Sequence, residues 1–144
     1  MKKYILYIII LTGIAAACDQ VPVGYLDAAN GEYTPDSLVI KSVLNPDDPD
    51  DAKRIEFQSP WQSNPIQGVA GTPQLRFCIT SITDEKGNAS PDAVLSQIYL
   101  VGAKARITVG YDHTIPAGRY KLSLKVSNED HEQDYPEIFT LIVE

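Results

Sequence analysis

The chain has 144 residues, with twelve Lys or Arg against nineteen Asp or Glu, a formal charge of −7, and two cysteines. That acidity excludes the basic stripe on which nucleic-acid binding depends, and there is no polybasic run to hold an anionic lipid surface by charge. The length suits one domain of ordinary size, not two.

Lys2 and Lys3 open the chain, residues 4–14 are apolar except for Thr12 and Gly13, and Ala15, Ala16 and Ala17 precede Cys18. Basic, apolar and small segments in that order make a secretory signal. The apolar part falls short of the roughly 20 residues that a spanning helix needs. The small residues before Cys18 resemble the bacterial lipobox, with Ala15 where that motif carries a larger aliphatic side chain. The resemblance implies cleavage before Cys18 and a diacylglyceryl group on its sulfur. Residues 1–17 are therefore expected to be a lipoprotein signal peptide, and the exported protein to be tethered to a membrane of the cell envelope through lipid on Cys18. Each buried methylene contributes about 0.8 kcal/mol, so two or three acyl chains hold a protein stably on a bilayer. Loss of residues 1–17 removes two lysines and no acid, leaving a charge of −9 on 127 residues.

Residues 18–36 are rich in Gly, Asp and small side chains, with Pro22, Gly24, Gly31 and Pro35 as punctuation. They are expected to be a lipidated tether leading into a domain over residues 37–144. From Leu38 the pattern becomes one of short alternating segments. Leu38, Ile40 and Leu44 share one face, and Ile55 and Phe57 alternate with Arg54, Glu56 and Gln58. The same period of two runs through Leu75, Phe77 and Ile79, and through Ala105, Ile107 and Val109. It is clearest in Tyr120, Leu122, Leu124 and Val126, whose neighbours are Arg119, Lys121, Ser123 and Lys125, and it returns in Phe139, Leu141 and Val143. One buried and one wet face is the signature of an antiparallel sheet. Residues 92–99 fit a helical turn and a strand equally well, and no helix of three turns is expected after the signal. Turns are expected over 45–51, 84–91 and 116–118, where Pro, Gly, Asn and Asp gather. Six or seven strands at these spacings predict an all-β, two-layer sandwich.

Ile115-Pro116-Ala117-Gly118-Arg119-Tyr120, followed by an alternating strand, a polar loop and Ile138-Phe139-Thr140-Leu141-Ile142-Val143, resembles the end of an immunoglobulin-like or cadherin-like domain. The resemblance covers about thirty residues and implies an immunoglobulin-like antiparallel β-sandwich without the usual disulfide. Tyr120 would then tie a corner to nearby backbone through its hydroxyl. Together with the lipobox and Trp61-Gln62-Ser63, this ending is similar to small surface lipoproteins of Bacteroidota, many of which accompany starch-utilisation-type glycan import. That similarity implies an outer-membrane location and glycan handling.

Trp61 is the only tryptophan, and it stands beside Gln62, Ser63 and Asn64. An aromatic ring among amides and hydroxyls suits a sugar surface, and a lone tryptophan in a sandwich equally suits the core. Whether Trp61, Tyr99 and Tyr111 share one exposed face is the geometric question. Asp36-Ser37-Leu38 resembles an O-glycosylation acceptor of Bacteroidota exported proteins, which makes Ser37 a candidate. With Cys18 acylated, Cys78 has no disulfide partner in its own chain and is expected to be a buried, inert thiol. The acidic runs Asp47, Asp48, Asp50, Asp51 and Glu129, Asp130, Glu132, Asp134 offer oxygen ligands, but neither has the spacing of a calcium loop. No metal site, cofactor or catalytic constellation is expected, since nucleophile-elbow, zinc and phosphate-loop motifs are all missing. The sequence thus reads as a non-catalytic binding or accessory module, with membrane and polysaccharide as expected partners. The alternative is a structural subunit or stabilising partner of an outer-membrane or fimbrial protein complex.

Overall fold

The computed structural model describes residues 23–144, so the signal segment and Cys18 lie outside the described residues. In chain order the elements are β1 (Leu26–Asp27), β2 (Ser37–Ile40), α1 (Pro49–Glu56), β3 (Trp61–Gln62), β4 (Ala70–Gly71) and β5 (Arg76–Asp84). They continue as α2 (Asp92–Leu95), β6 (Ile98–Val101), β7 (Arg106–Val109), β8 (Gly118–Ser127) and β9 (Glu132–Val143). Among the described residues strand far outweighs helix, in line with the all-β expectation.

The alternation of β8 and β9 sets the architecture. Tyr120, Leu122, Leu124 and Val126 are buried, as are Tyr135, Phe139, Leu141 and Val143 on the partner strand. Lys121, Lys125 and Thr140 lie on the wetter side. Around this antiparallel pair, β5 adds antiparallel to β8 and β2 adds parallel to β9, giving the order β2-β9-β8-β5. A second sheet has the order β3-β7-β6, all antiparallel. Ile98, Ile107 and Val109 from it join Leu122, Leu124 and Phe139 in a single hydrophobic cluster. Each large apolar side chain buried in that cluster contributes about 1.5–3 kcal/mol.

The stretch expected as a tether is part of this body from Val23, the first described residue, onward. β1 pairs with β4, and Ala28 and Tyr33 are each only 3% exposed. The Tyr33 ring meets Phe139 edge-on at 5.1 Å, and its hydroxyl donates to the Ala105 carbonyl at 2.5 Å. Tyr135 donates to the Ala28 carbonyl at 2.5 Å. A Cβ on Gly31 would collide with the Tyr135 hydroxyl, so only glycine lets the chain close there. Two buried aromatics hold the segment down, and its Gly-rich composition reflects close approach instead of freedom.

The alternation over 54–58 is not a strand. Residues 49–56 form α1 because Asp48 caps it, accepting from the Asp50 and Asp51 amides at 3.0 and 3.2 Å, with Pro49 opening the first turn. Phe57, expected on a buried face, is 70% exposed just past the helix. Asp51 is buried and accepts from Lys41 Nζ at 2.7 Å and from the Asn45 amide at 3.1 Å. The Lys41 hydrogen bond, then that of Asn45, holds its carboxyl below the usual carboxylate range. Residues 92–99 divide between both expected forms, with α2 first and β6 after it.

Cys78 is exposed, contrary to expectation. β5 is an edge strand paired only with β8, and its register shifts between Ile79 and Ser81. Phe77 and Ile79 are only partly covered, so the thiol on the opposite side faces outward. Edge position and bulge together override the local apolar run.

Candidate functional site

Cross-strand partners in an antiparallel pair lie on the same side of the sheet, which places the candidate aromatics. Trp61 pairs with Val109, and Val109 with Ile98. That row points inward, since Val109 and Ile98 are both buried. Gln62 pairs with Thr108, and Thr108 with Tyr99, so Tyr99 belongs to the outer row. Trp61 and Tyr99 therefore project from opposite faces of the three-stranded sheet. Tyr111 is half-buried in the turn that follows β7.

Trp61 is half-buried against the hydrophobic cluster. The Arg54 guanidinium covers its ring at 3.5 Å from the centroid and is held there by hydrogen bonds to the Ser59 and Pro60 carbonyls, both 3.1 Å. The indole Nε1 is buried without a hydrogen-bond partner among the described residues. Ser63 is buried beside it and stitches β3 to β7. Its Oγ accepts from the Ile107 amide at 2.9 Å and donates to the Asn64 carbonyl at 2.7 Å. The aromatic, amide and hydroxyl groups that suggested a sugar surface are thus largely spent inside the fold. Ser37 opens β2, half-buried, opposite Thr140.

An open cleft lies on the outer row, at the end of the sheet where β7 finishes. It measures about 460 Å³ and is lined by Gln97, Tyr99, Gly110, Asp112, His113 and Thr114. Gln97 fixes its wall by accepting from the Thr114 amide at 2.7 Å and donating to the Ala93 carbonyl at 2.7 Å. His113 fixes its floor. The Ile115 amide can only donate, so His113 Nδ1 accepts from it at 3.3 Å, and Nε2 carries the proton and donates to the Lys41 carbonyl at 3.1 Å. Burial lowers the His113 pKa, with the Lys41 hydrogen bond opposing in part, so the ring is neutral near pH 7.

Two groups in the cleft remain unspent. The Tyr99 side chain is exposed, at 46%, and no hydrogen bond among the described residues uses the Asp112 carboxylate. A Cβ on Gly110 would stand 2.9 Å from Asp112 Oδ1, so the glycine leaves room for that carboxylate to sit over the strand end. A ring face beside a carboxylate can stack on the C–H face of a pyranose while accepting from its hydroxyls. Sequence reading missed Asp112 because an Asp in a turn carries no signal of its own.

The acidic runs are committed elsewhere. Asp48 caps α1, Asp51 holds Lys41, Asp130 accepts from the Val23 amide, and Glu132 and Asp134 flank Lys125 at 3.1 and 3.7 Å. Among the described residues no three His, Cys, Asp or Glu gather into a metal-holding group, and no helix is long and apolar enough to cross a membrane. No protein-family model and no curated protein sequence matches this chain.

Proposed function

We propose that the protein is a lipid-anchored, non-catalytic accessory module of the outer membrane that captures a neutral glycan in the Tyr99–Asp112 cleft. The observation that carries the reading is an unspent aromatic face set beside an unspent carboxylate in a cleft whose other polar groups are already satisfied. The volume lies within the span of small-ligand sites, roughly 300–1,000 Å³. A charge of −9 on the processed chain repels anionic polysaccharides, which favours a neutral ligand.

The anchor and the fold complete the proposal. Cys18 bears the lipid, on the strength of the basic, apolar and small segments that precede it. The two sheets form an immunoglobulin-like sandwich. Strand order supports this: with β2, β3, β5, β6, β7, β8 and β9 lettered A to G, the sheets read A-G-F-C and B-E-D. The Tyr120 hydroxyl, which donates to the Pro116 carbonyl at 2.9 Å, supports it further.

Affinity electrophoresis against a panel of neutral and acidic polysaccharides tests the capture. Retention by one neutral glycan is expected, weakened about tenfold by Tyr99→Ala, since a stacking contact is worth about 1.4 kcal/mol. Asp112→Asn is expected to weaken it as well. Retention untouched by both variants refutes the site. The second reading, a stabilising partner in an envelope or fimbrial assembly, draws on the free edges of β5 and β6. Between them Phe77, Ile79, Leu95 and Leu100 line an apolar groove, a surface suited to strand addition. A stoichiometric protein partner in native pull-downs, without glycan retention, would favour it.

A further inference from the structure

The described residues start at a fixed place on the folded body, the exit end toward the proposed anchor. The Val23 amide donates to Asp130 at 2.5 Å. The Tyr25 carbonyl accepts from the Thr72 amide at 3.0 Å and from Asn128 Nδ2 at 2.9 Å. Residues 23–27 are therefore fastened between the β4–β5 turn and the β8–β9 loop. Four residues separate Val23 from Cys18, and that length of chain spans at most about 18 Å.

The cleft lies at the other end. His113 donates to the Lys41 carbonyl, Lys41 follows the last residue of β2, Ile40 pairs with Val143, and Val143 pairs with Gly118. Gly118 begins β8, and Ser127 ends it beside the loop that holds Val23 and Tyr25. Ten strand residues separate these ends by about 30 Å. The tether is too short to let the cleft end reach the bilayer while the exit end stands off from it.

Resting on the lipid anchor proposed above, we infer that the end bearing Val23, Tyr25 and the β8–β9 loop is seated on lipid headgroups, with the Tyr99–Asp112 cleft held away from the bilayer. Val23 and Tyr25 are 59% and 57% exposed at the exit point, and tyrosine favours the headgroup level. Glu129 and Asp130 share that end with the exposed Arg76, a mixed-charge surface that matches zwitterionic headgroups better than anionic ones.

The test uses the full, acylated chain in phosphatidylcholine vesicles that carry nitroxide on a fraction of the headgroups. In a Cys78→Ser background, a fluorophore is placed through Glu129→Cys at the exit end or, at the cleft end, through Lys86→Cys in the turn after β5, beside Gly118 at the start of β8. Quenching several-fold stronger at position 129 is expected. Equal or reversed quenching in protein that floats with the vesicles overturns the orientation and leaves the anchor intact. Protein that neither incorporates labelled fatty acid nor floats overturns the anchor, and the orientation with it.

Discussion

Replacing Trp61 by Ala separates packing from ligand binding in one variant. Truncating a fully buried tryptophan costs about 3–5 kcal/mol. Trp61 is half-buried, which brings that to about 2 kcal/mol, and loss of the Arg54 stack adds about 0.5–1 kcal/mol. Against this stands the unpartnered Nε1, whose desolvation penalty of about 1 kcal/mol disappears with the indole. The net expectation is destabilisation by about 2 kcal/mol, or about 8 °C in melting temperature for a domain of this size. Trp61→Phe keeps most of the packing and the stack while removing the orphaned N–H, so it should stay within about 1 kcal/mol of the parent. Urea unfolding with an unchanged slope, read beside affinity electrophoresis, checks both. Trp61→Ala that melts within 2 °C (roughly 0.5 kcal/mol) of the parent, or that stays folded and loses glycan retention, refutes the reasoning.

Ser63→Ala orphans the buried Ile107 amide and should cost about 1–3 kcal/mol. Ser123→Ala removes a similar bond to the exposed Glu137 amide, which water replaces, so urea midpoints should show a cost under about 0.5 kcal/mol. His113 has a lowered pKa in the fold, so below about pH 6.5 the unfolded chain takes up a proton that the folded chain refuses. Stability from this group is complete above that pH and falls as pH drops toward the folded value. Melting temperatures between pH 7.5 and 5 should show the decline, and His113→Gln should flatten it; identical slopes would remove His113 as the cause. Cys78 should react with a thiol reagent in the native protein without denaturant, and a requirement for unfolding would contradict its exposure on β5.

The strands most legible in the sequence are those with one wet side. β8 and β9 show their faces residue by residue because Lys and Ser alternate with Leu and Val there. Residues 54–58 misled because Ile55 and Phe57 sit two apart by chance at a helix end. The helix signal, Asp48 followed by Pro49 and two further acids, lay inside what read as a turn. Tyr33 and Trp61 could not be placed from sequence, since each is fixed by partners distant in the chain or across the sheet: Ala105 and Phe139 for one, Val109 for the other. The cleft was legible only in Tyr99. Gln97, Asp112 and His113 converge through the end of β7 and the segment after β2, a juxtaposition that no local pattern encodes.

The parallel alignment of residues 37–40 with residues 140–143 carries a kinetic consequence. A strand made early in synthesis has to wait for one of the last, and the intervening hundred residues must be present before the larger sheet can close. Until then the sheet lacks its parallel edge strand. The alignment also means that clipping a handful of residues from the carboxyl end would release β2 as well, so a small truncation should unravel far more of the molecule than it deletes.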